Sequence, residues 1–545
     1  MGKFTIGVDY GTLSARALLL DIETGREVAT SEFTYPHGIL QADFFAPNAL
    51  EKTDSLEHPQ DYLDALRFTV RDVLAKADIS ADEVCGIGFD FTSCSVLPLT
   101  SDGTPLCFSE EFSKEPQAYV KLWNSYTALE EAEQITNTAK AENAPWLKLF
   151  SGKVSAEWLF PKLCEILHKA PALYEQTAHY MEAGDWLTWL LTGNRIASAS
   201  FAGFKALWNP QTGYPCNDFW AKVDPKLDGI IGTKVTTDVR NAGEFAGGLN
   251  AIGAELTGLN IGTAVALPLI DAHAPMCSAG AVSAGQLLLT LGTSAGFIVM
   301  DGQHRLIDGI FGSIQDGILP GLTAYEASQP SMGNTFAWFV NNCVPASYTA
   351  EAQDRGISIF TLLDEKASLL NPGSNGLLCL DWWNGNRAPY NDFDLSGMIL
   401  GLNLNTKPEE IYRAIIESCA YATKTVLDVY RNGGIDIHDI RAGGGIARKN
   451  PMLMQIYADV IGMPIRVADS AQPGCKGGCI FAAAASGQFE TIFAAAQTLA
   501  DKCETVYYPD PQRHGAYAPL YDHYRRLASY FAEGENPVMK YLRTI

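Results

Sequence analysis

Two short segments carry a glycine followed by a threonine where an extended run of residues ends. Gly11 and Thr12 follow the run that ends in Asp9, and residues 292–293 repeat this step after the apolar run 286–291. Glycine lets the backbone approach a phosphate closely, while turn N–H groups and a threonine hydroxyl donate hydrogen bonds to its oxygens. Two such corners facing each other would hold the phosphates of a nucleotide, with Asp9 placed to bind Mg²⁺ through water.

Asp271 has the position expected of a catalytic carboxylate. It follows the apolar segment 264–270, a predicted strand, and small residues come after it. A carboxylate at the end of a strand can accept the proton of a hydroxyl group while that hydroxyl attacks a phosphate, and Mg²⁺ and backbone donors stabilise the transferred group. His273 lies two residues further on, and we interpret it as a packed or capping side chain rather than a base.

Three consecutive glycines, residues 443–445, lie between a predicted strand and a predicted helix. Glycines at this place allow a flat ligand such as an adenosine to lie against the backbone. A tight turn between a strand and a helix would explain them equally well. The residues alone leave both interpretations open.

Three other motifs for nucleotides or nucleophiles are disfavoured by the sequence. No G-x-x-x-x-G-K-[ST] motif exists, and Phe91 occupies the third glycine position of a dinucleotide fingerprint that would begin at Gly86. Residues 292–296 match the G-x-S-x-G pattern of serine hydrolases, but that pattern needs a helix directly after the serine. Because residues 297–300 are predicted as a strand, we do not expect a hydrolase.

The elements that position these residues are predicted to form two α/β lobes. Residues 4–9 and 15–21 form a predicted hairpin around the first glycine corner, and residues 286–300 repeat that arrangement around the second. Strands that alternate with helical segments indicate mixed sheets. We therefore expect an internal duplication, with one lobe in residues 1–282 and the other in residues 283–545.

Length and charge limit the classes of function. The chain has 545 residues, of which 47% are hydrophobic and 19% charged, as is typical of a folded globular protein. Its net charge of −23 opposes binding to nucleic acid and to anionic membranes. The 12 cysteines are scattered singly, and neither a signal peptide nor an apolar run of membrane-spanning length is found. We therefore expect a cytoplasmic protein.

Several strings of residues resemble one family. The chain resembles the FGGY carbohydrate kinases of the actin-like ATPase superfamily, and the likeness extends from Phe4 to the predicted tail helix 521–531. The resemblance implies an α/β fold of two actin-like (ribonuclease H-like) lobes, with mixed sheets around a central ATP cleft. The matching strings are IGVDYGT (6–12), FDFT (89–92), SAEW (155–158), DAHA (271–274), YEA (325–327), LDWWNGNR (380–387) and QIYADV (455–460).

The reaction implied by this resemblance is transfer of phosphate from ATP to the terminal 5-hydroxyl of a ketopentose. Among ketopentoses, the matching strings favour L-ribulose, a sugar of L-arabinose catabolism, as the substrate. Two alternatives stay open: a kinase for another pentulose or pentitol (D-ribulose, xylulose or ribitol), and a non-catalytic member that senses nucleotide or sugar. The expected partners are a small sugar, ATP and Mg²⁺, without nucleic acid or membrane, and a homodimer is one option for assembly.

The resemblance also implies roles for individual residues. Asp271 would be the general base, and Asp9 would bind Mg²⁺ through water. The other implied contacts are Gly11, Thr12 and Thr293 with the phosphates, Gly443, Gly444, Gly445 and Asn450 with the adenosine, and Ser93, Lys205, Asp271 and Glu326 with the sugar.

Three departures from the family pattern bear on these expectations. No histidine follows Trp123, and Asn334 stands where an aspartate is usual, which leaves the identity of the sugar open. Residues 474–479 (GCKGGC) replace a segment that is usually apolar. This places Lys476 close to the expected nucleotide cleft, where we expect it either to alter nucleotide binding or to face solvent.

Overall fold

The strands of the chain form two large sheets and several small ones. The structure is a computed structural model that describes residues 3–45, 49–534 and 536–545. The strands are β1 Phe4–Tyr10, β2 Ser14–Asp21, β3 Glu27–Thr34, β4 Leu56–Glu57, β5 Val84–Phe91, β6 Val96–Leu99, β7 Val120–Lys121, β8 His179–Glu182, β9 Ala197–Ser198, β10 Val239–Arg240, β11 Phe245–Gly248, β12 Ala264–Ala266, β13 Leu269–Ile270, β14 Gln286–Leu291, β15 Ala295–Asp301, β16 Gly312–Gln315, β17 Thr323–Gln329, β18 Leu378–Leu380, β19 Met398–Leu400, β20 Asp439–Gly443, β21 Ile465–Val467 and β22 Thr505–Tyr507.

Helices surround the sheets. They are α1 Pro59–Ala77, α2 Leu129–Ala141, α3 Leu159–Lys169, α4 Pro171–Gln176, α5 Ala183–Thr192, α6 Ala199–Lys205, α7 Asn217–Val223, α8 Ile230–Thr233, α9 Ala251–Thr257, α10 Ala274–Ser278, α11 Gly333–Cys343, α12 Ala346–Asp354, α13 Ile359–Ser368, α14 Pro408–Asn432, α15 Gly445–Lys449, α16 Pro451–Ile461, α17 Pro473–Ala485, α18 Ile492–Leu499, α19 Pro511–Ala532 and α20 Val538–Arg543. No helix in the described ranges combines the length and apolar composition needed to cross a membrane.

The two large sheets share the strand order at their centre. The first, with the order β11-β12-β5-β1-β2-β3 and β13 also paired with β5, defines the first lobe. The second, with the order β22-β21-β20-β14-β15-β17-β16, defines the second lobe. In each lobe an antiparallel hairpin, β1–β2 or β14–β15, lies beside a parallel strand, β5 or β20. The two large sheets thus repeat one arrangement of strands, as the predicted internal duplication requires.

Helix α17 packs on the sheet of the first lobe, although in sequence it lies between β21 and β22, two strands of the second lobe. Gly7 of β1 and Gly88 of β5 allow this close approach. A Cβ at Gly7 would lie 1.8 Å from the carbonyl oxygen of Cys475, and one at Gly88 would lie 2.3 Å from that of Gly478. The apolar core of the first lobe accordingly includes residues from the segment 468–503.

One predicted element is divided in the structure. The segment 264–270, predicted as a single strand, forms the two short strands β12 and β13. Pro268 lies between them, and proline has no N–H to donate to a neighbouring strand. The break turns the last two residues before Asp271 onto the end of β5.

Candidate active site

Three strands bring Asp9, Asp90 and Asp271 to one edge of the first sheet. Asp9 of β1 lies directly opposite Asp90 of β5 in the parallel register. Asp271 follows β13, which also pairs with β5, and its N–H donates to the carbonyl oxygen of Phe91 at 2.9 Å. The sheet thus gathers carboxyl groups that lie far apart in the chain.

The environment of Asp271 suits a general base. Its Oδ1 accepts a hydrogen bond from the N–H of Ala272 at 2.7 Å. Burial and then the negative charge of Asp9 raise the pKa of Asp271 to about 7, whereas the Ala272 N–H and the charge of Lys205 oppose this rise. A pKa near neutrality combines an available carboxylate with useful basicity.

Asp90 is an ionisable group to which the sequence analysis gave no role. Its side chain is fully buried, and neither carboxyl oxygen has a hydrogen-bond partner among the described residues. Burial and the negative charges of Asp9 and Asp271 raise the pKa of Asp90 well above its ordinary value. Burial also raises the pKa of Asp9, and the positive charge of Arg16 opposes this rise.

The pair formed by Asp9 and Asp90 fits Mg²⁺. Carboxylate oxygens are the ligands that this hard cation prefers, and the unpartnered oxygens of Asp90 lack a compensating donor. Across the residues that the structure describes, no group of three or more His, Cys, Asp or Glu side chains is arranged to enclose a metal ion. Mg²⁺ usually keeps several water ligands, and two carboxyls are a common protein contribution.

Gly474, near the start of α17, makes room for this acidic pair. A Cβ at position 474 would lie 3.0 Å from Cγ of Asp9 and 3.1 Å from Oδ1 of Asp90. Helix α17 has 13 residues, and its N-terminus carries a partial positive charge close to the two carboxyls. The helix therefore gives both space and a favourable field to the acidic pair.

The first glycine–threonine corner joins β1 to β2. The N–H of Gly11 donates to the carbonyl oxygen of Ser14 at 3.0 Å, which closes a tight turn. Thr12 Oγ1 accepts a hydrogen bond from Nε1 of Trp123 at 3.1 Å, and the Trp123 side chain stays 44% exposed. Trp123 therefore lies at the predicted phosphate corner, a contact that the sequence did not indicate.

The second corner, between β14 and β15, is also closed by a glycine N–H, but the closing hydrogen bond spans one residue fewer. The N–H of Gly292 donates to the carbonyl oxygen of Ser294 at 3.0 Å, and Thr293 is exposed. Strand β15 begins at Ala295, so the helix required by a serine-hydrolase elbow is not present here. The N–H of Asn334 lies 3.4 Å from the carbonyl oxygen of Thr293, and this departure from the family pattern therefore borders a phosphate corner.

The glycine triplet lies beside the second corner, because Thr290 of β14 pairs with Gly443 of β20. Gly444 has a φ of +97°, and a Cβ there would lie 2.3 Å from the carbonyl oxygen of Leu291. Gly445 has no atom within 4 Å of where a Cβ would stand. The turn thus requires Gly444, whereas Gly445 leaves open space for a ligand.

The side chain of Asn450 is used within the protein. Its Oδ1 accepts the N–H of Leu453 at 2.9 Å at the start of α16, and its Nδ2 donates to Asp364 at 3.0 Å. A role in bordering the adenosine would therefore belong to its backbone and to the neighbouring glycines.

Glu326 of β17 is held by positive and polar groups from both lobes. His273 Nε2 lies 3.3 Å from Oε2 of Glu326. Burial alone would raise the pKa of Glu326, but the hydrogen bond with His273 and the charges of Lys205 and Arg387 lower it to about 2. Glu326 is therefore a carboxylate at neutral pH and accepts hydrogen bonds, as sugar hydroxyls require.

Lys205, at the end of α6, lies among acidic side chains. Burial would lower the pKa of its ammonium group, but Glu326, Glu157 and Glu182 contribute to a net rise. His273 is buried and packs on Phe204, with ring centroids 4.4 Å apart. The packed interpretation of His273 is confirmed, and its contact with Glu326 adds a link between the lobes.

Ser93 lies in the loop between β5 and β6, next to Cys94. Burial raises the pKa of the Cys94 thiol to about 12, while the positive charge of Lys205 opposes the rise. The charge of Lys205 thus acts on Cys94 as well as on Asp271 and Glu326.

Lys476 of α17 forms a buried ion pair with Asp501. It is buried, and its Nζ is 2.5 Å from Oδ1 of Asp501, so the alternative that it faces solvent is wrong, while an effect on nucleotide binding stays a prediction. The pair borders a cavity of about 790 Å³ that is also lined by Gly25 and Gly280. Gly25 belongs to the turn after β2, at the opposite end of the β1–β2 hairpin from Gly11.

Comparison with known proteins gives matches along the chain. The models for the N-terminal and C-terminal domains of the FGGY family of carbohydrate kinases match residues 4–277 and 287–486. A ribulokinase from Bacillus licheniformis is 42% identical over 538 residues, covering 98% of this chain and 97% of that protein. A ribulokinase from Shouchella clausii is 42% identical over 552 residues, covering 100% and 98%.

Solved structures support the fold. A xylulose kinase from Rhodospirillum rubrum superposes with a TM-score of 0.80 at 21% identity, covering 97% of this chain and 99% of that one. The chain has the two-lobe, actin-like α/β fold expected from the sequence.

Proposed function

Because the chain belongs to the FGGY family of carbohydrate kinases, we propose that it transfers the γ-phosphoryl group of ATP to the terminal 5-hydroxyl of L-ribulose. The observation that carries this proposal is the Asp271 carboxyl, with a pKa of about 7, beside the acidic pair and Lys205. Relatives named ribulokinase, 42% identical along nearly the whole chain, support L-ribulose as the sugar. The reaction would belong to L-arabinose catabolism.

Asp271 acts as the general base in this reaction. The 5-oxygen of the sugar forms a bond to the γ-phosphorus, and the bond from that phosphorus to the bridging oxygen of ADP breaks. The Asp271 carboxylate takes the proton of the 5-hydroxyl and later releases it to water. Proton acceptance by a positioned base contributes roughly 10²–10⁴-fold to a rate.

The phosphates are received by the two corners. Turn N–H groups and the hydroxyls of Thr12 and Thr293 donate to their oxygens, with Gly11 allowing close approach. Mg²⁺, when bound, neutralises charge on the transferred group. Asp9 would hold it through water, and Asp90 fits the same cation.

The first lobe supplies most of the sugar site, and the second lobe supplies Glu326 to the sugar and the glycines to the adenosine. Lys205 and Ser93 donate hydrogen bonds to sugar oxygens, and Glu326 accepts from sugar hydroxyls. The adenosine lies against residues 443–445, where Gly445 leaves open space.

A panel of sugars tests the proposal. ADP release with ATP and Mg²⁺ is measured for L-ribulose, D-ribulose, xylulose and ribitol, using wild type, Asp271→Asn and the exposed control Asp354→Asn. We expect L-ribulose to give the highest kcat/KM, and Asp271→Asn to lower kcat by roughly 10²–10⁴-fold while Asp354→Asn does not. Undiminished turnover in Asp271→Asn would refute the role of Asp271 as general base. A higher kcat/KM for another sugar would refute L-ribulose as the preferred substrate.

A kinase for another pentulose or pentitol is the second candidate. The observation that favours it is Asn124, which stands where the family has a histidine. Its Oδ1 is buried and has no hydrogen-bond partner in the described ranges, next to Trp123 at the phosphate corner. Asn124→His should then change the order of preference in the same sugar panel.

Location and assembly are proposed from the sequence. All 12 cysteines are free thiols, which supports a reducing, cytoplasmic environment. Light scattering coupled to size-exclusion chromatography would test assembly as a homodimer.

A further inference from the structure

The loop that carries Ser93 contains an uncommon backbone conformation. Cys94 has a φ of +59°, in the left-handed region that residues with a Cβ seldom adopt. Such a conformation costs energy and persists only where surrounding contacts hold it. It stands directly beside the residue that the proposed function places at the sugar.

Two buried charges hold the peptide that follows Cys94. Lys162 of α3 is 1% exposed, and its Nζ donates to the carbonyl oxygen of Cys94 at 2.7 Å. Glu182 of β8 is 2% exposed, and its Oε2 accepts the N–H of Ser95 at 2.9 Å. This carbonyl and this N–H belong to the same peptide unit, so an ammonium and a carboxylate fix its plane from both polar ends.

Lys162 also reaches a second loop of the site. Its Nζ donates to the carbonyl oxygens of Leu122 at 2.7 Å and of Lys121 at 3.3 Å. Trp123, the next residue, donates to Thr12 at the phosphate corner. An ammonium group has three N–H donors. All three are thus directed to backbone oxygens that join the Ser93 loop to the Trp123 loop.

Stability alone does not account for these charges. Burial lowers the pKa of Lys162 and raises that of Glu182, although the two groups oppose each other's shift. Burying such a pair generally stabilises a fold no better than well-packed apolar side chains would. What the two charges supply here is a fixed orientation of one peptide.

We propose that Lys162 and Glu182 are positioning residues for the sugar site. They hold the Cys94–Ser95 peptide and with it Ser93, and Lys162 keeps that loop in register with Trp123. The inference rests on the proposed function, since it assumes that a sugar binds at Ser93.

Variants of the two charges test the proposal. Lys162→Met and Glu182→Leu should raise the KM for the sugar by roughly 10- to 100-fold, because a small misplacement of a positioning group is costly. In Glu182→Leu the KM for ATP should stay within about twofold, because Glu182 holds the Ser93 loop and residues without shared partners act independently. Lys162→Met also releases the Trp123 loop and should therefore raise the KM for ATP, but less than the KM for the sugar. Glu182→Gln keeps an acceptor for the Ser95 N–H and should stay within about threefold of wild type. The sugar used is the one that wild type turns over fastest.

A second pair of variants addresses the backbone itself. Glycine adopts a positive φ without a steric penalty, whereas alanine does not. Adding Cys94→Gly to Lys162→Met should therefore reverse part of the rise in the KM for the sugar. Adding Cys94→Ala, which also removes the thiol, should not. If Lys162→Met does not fold, the same comparison is made with Glu182→Leu.

The outcomes separate this inference from the proposed function. An unchanged sugar KM in folded Lys162→Met and Glu182→Leu would overturn it, as would a rise in the KM for ATP of Glu182→Leu equal to the rise in its KM for the sugar. Failure of the proposed function would instead appear as wild type without sugar-dependent release of ADP.

Discussion

Burial of Asp271 sets the pH range in which this carboxyl accepts a proton. Its pKa is raised to about 7, so the protonated form dominates at lower pH and cannot act as a base. We expect kcat/KM for L-ribulose to fall about tenfold per pH unit below about pH 6 and to level off above about pH 8. Release of ADP at saturating ATP and Mg²⁺ measures this profile.

The same profile in variants identifies the titrating group. Glu326, with a pKa of about 2, stays ionised over this range. Because the charge of Lys205 opposes the rise in the pKa of Asp271, Lys205→Met should move the acidic limb to higher pH. A wild-type profile that stays flat to about pH 5 would contradict Asp271 as the base.

A methyl group at position 474 should disturb the acidic pair. The Cβ of Gly474→Ala would lie 3.0 Å from Cγ of Asp9 and 3.1 Å from Oδ1 of Asp90, closer than most real contacts. We expect the Kd for Mn²⁺, measured by electron paramagnetic resonance, to rise roughly tenfold.

The control for that substitution is Gly515→Ala. Position 515 has no atom within 4 Å of the place that the methyl group would occupy, and it lies in α19, where alanine favours the helix. Equal Mn²⁺ affinity in wild type and Gly474→Ala would contradict a metal site at the pair.

At the level of elements, the contact between α17 and the first sheet depends on glycine. A Cβ at Gly88 would lie 2.3 Å from the carbonyl oxygen of Gly478, and backbone cannot give way as a side chain can. Gly88→Ala should therefore lower the free energy of unfolding by about 1–3 kcal/mol. Urea denaturation followed by circular dichroism measures the change.

Gly302→Ala provides the comparison for Gly88→Ala. Position 302 has no atom within 4 Å of where the added methyl would stand. Its free energy of unfolding should stay within about 0.5 kcal/mol of wild type. A loss of the same size in both variants would mean that the helix contact is not the cause.

Strands and corners could be predicted because their signals are local. The extended and apolar runs predict β1, β2 and β14, and the turn residues Gly11 and Gly292 predict the corners that follow β1 and β14. Asp271 was predicted as catalytic because it follows an apolar strand. The contact of α17 with the first lobe could not be predicted, because the small residues of α17 are explained only by their packing against Gly7 and Gly88 in the folded chain.

The remaining parts of the site depend on register between distant segments. Asp90 is one of several polar residues near a strand end. What distinguishes it is its position opposite Asp9 in the sheet and the lack of a hydrogen-bond partner for its carboxyl oxygens among the described residues. The bond from Trp123 to Thr12 and that between His273 and Glu326 each join segments far apart in sequence. No local pattern encodes these distances.

At the scale of the whole molecule, the proposed site takes residues from both lobes. Asp271 and Lys205 come from the first lobe, and Glu326 and Thr293 come from the second. A sugar and a nucleotide that contact residues of both lobes should draw the lobes together, and closure excludes water as a competing acceptor. The radius of gyration from small-angle X-ray scattering should therefore decrease with ADP and L-ribulose together.

Each ligand alone is the reference for that measurement. We expect less compaction with ADP or with the sugar than with both. An unchanged radius of gyration with both ligands bound at saturation would contradict closure.

The net charge of −23 does not exclude binding of a nucleotide at the proposed site. It opposes long-range attraction of polyanions, yet turn N–H groups and the N-terminus of α17 supply positive potential locally. Raising the salt concentration should thus weaken nucleotide binding little, in contrast to a protein that uses a basic surface.

The packing of residues 468–503 into the first lobe affects how the chain can fold during synthesis. N-terminal domains generally fold while the rest of a protein is still being made. Here the first sheet obtains its covering helix only after about 500 residues have left the ribosome. Until then, one face of the first sheet stays uncovered in the nascent chain. Chaperones that shield apolar surface should therefore matter more for this protein than its ordinary composition would suggest.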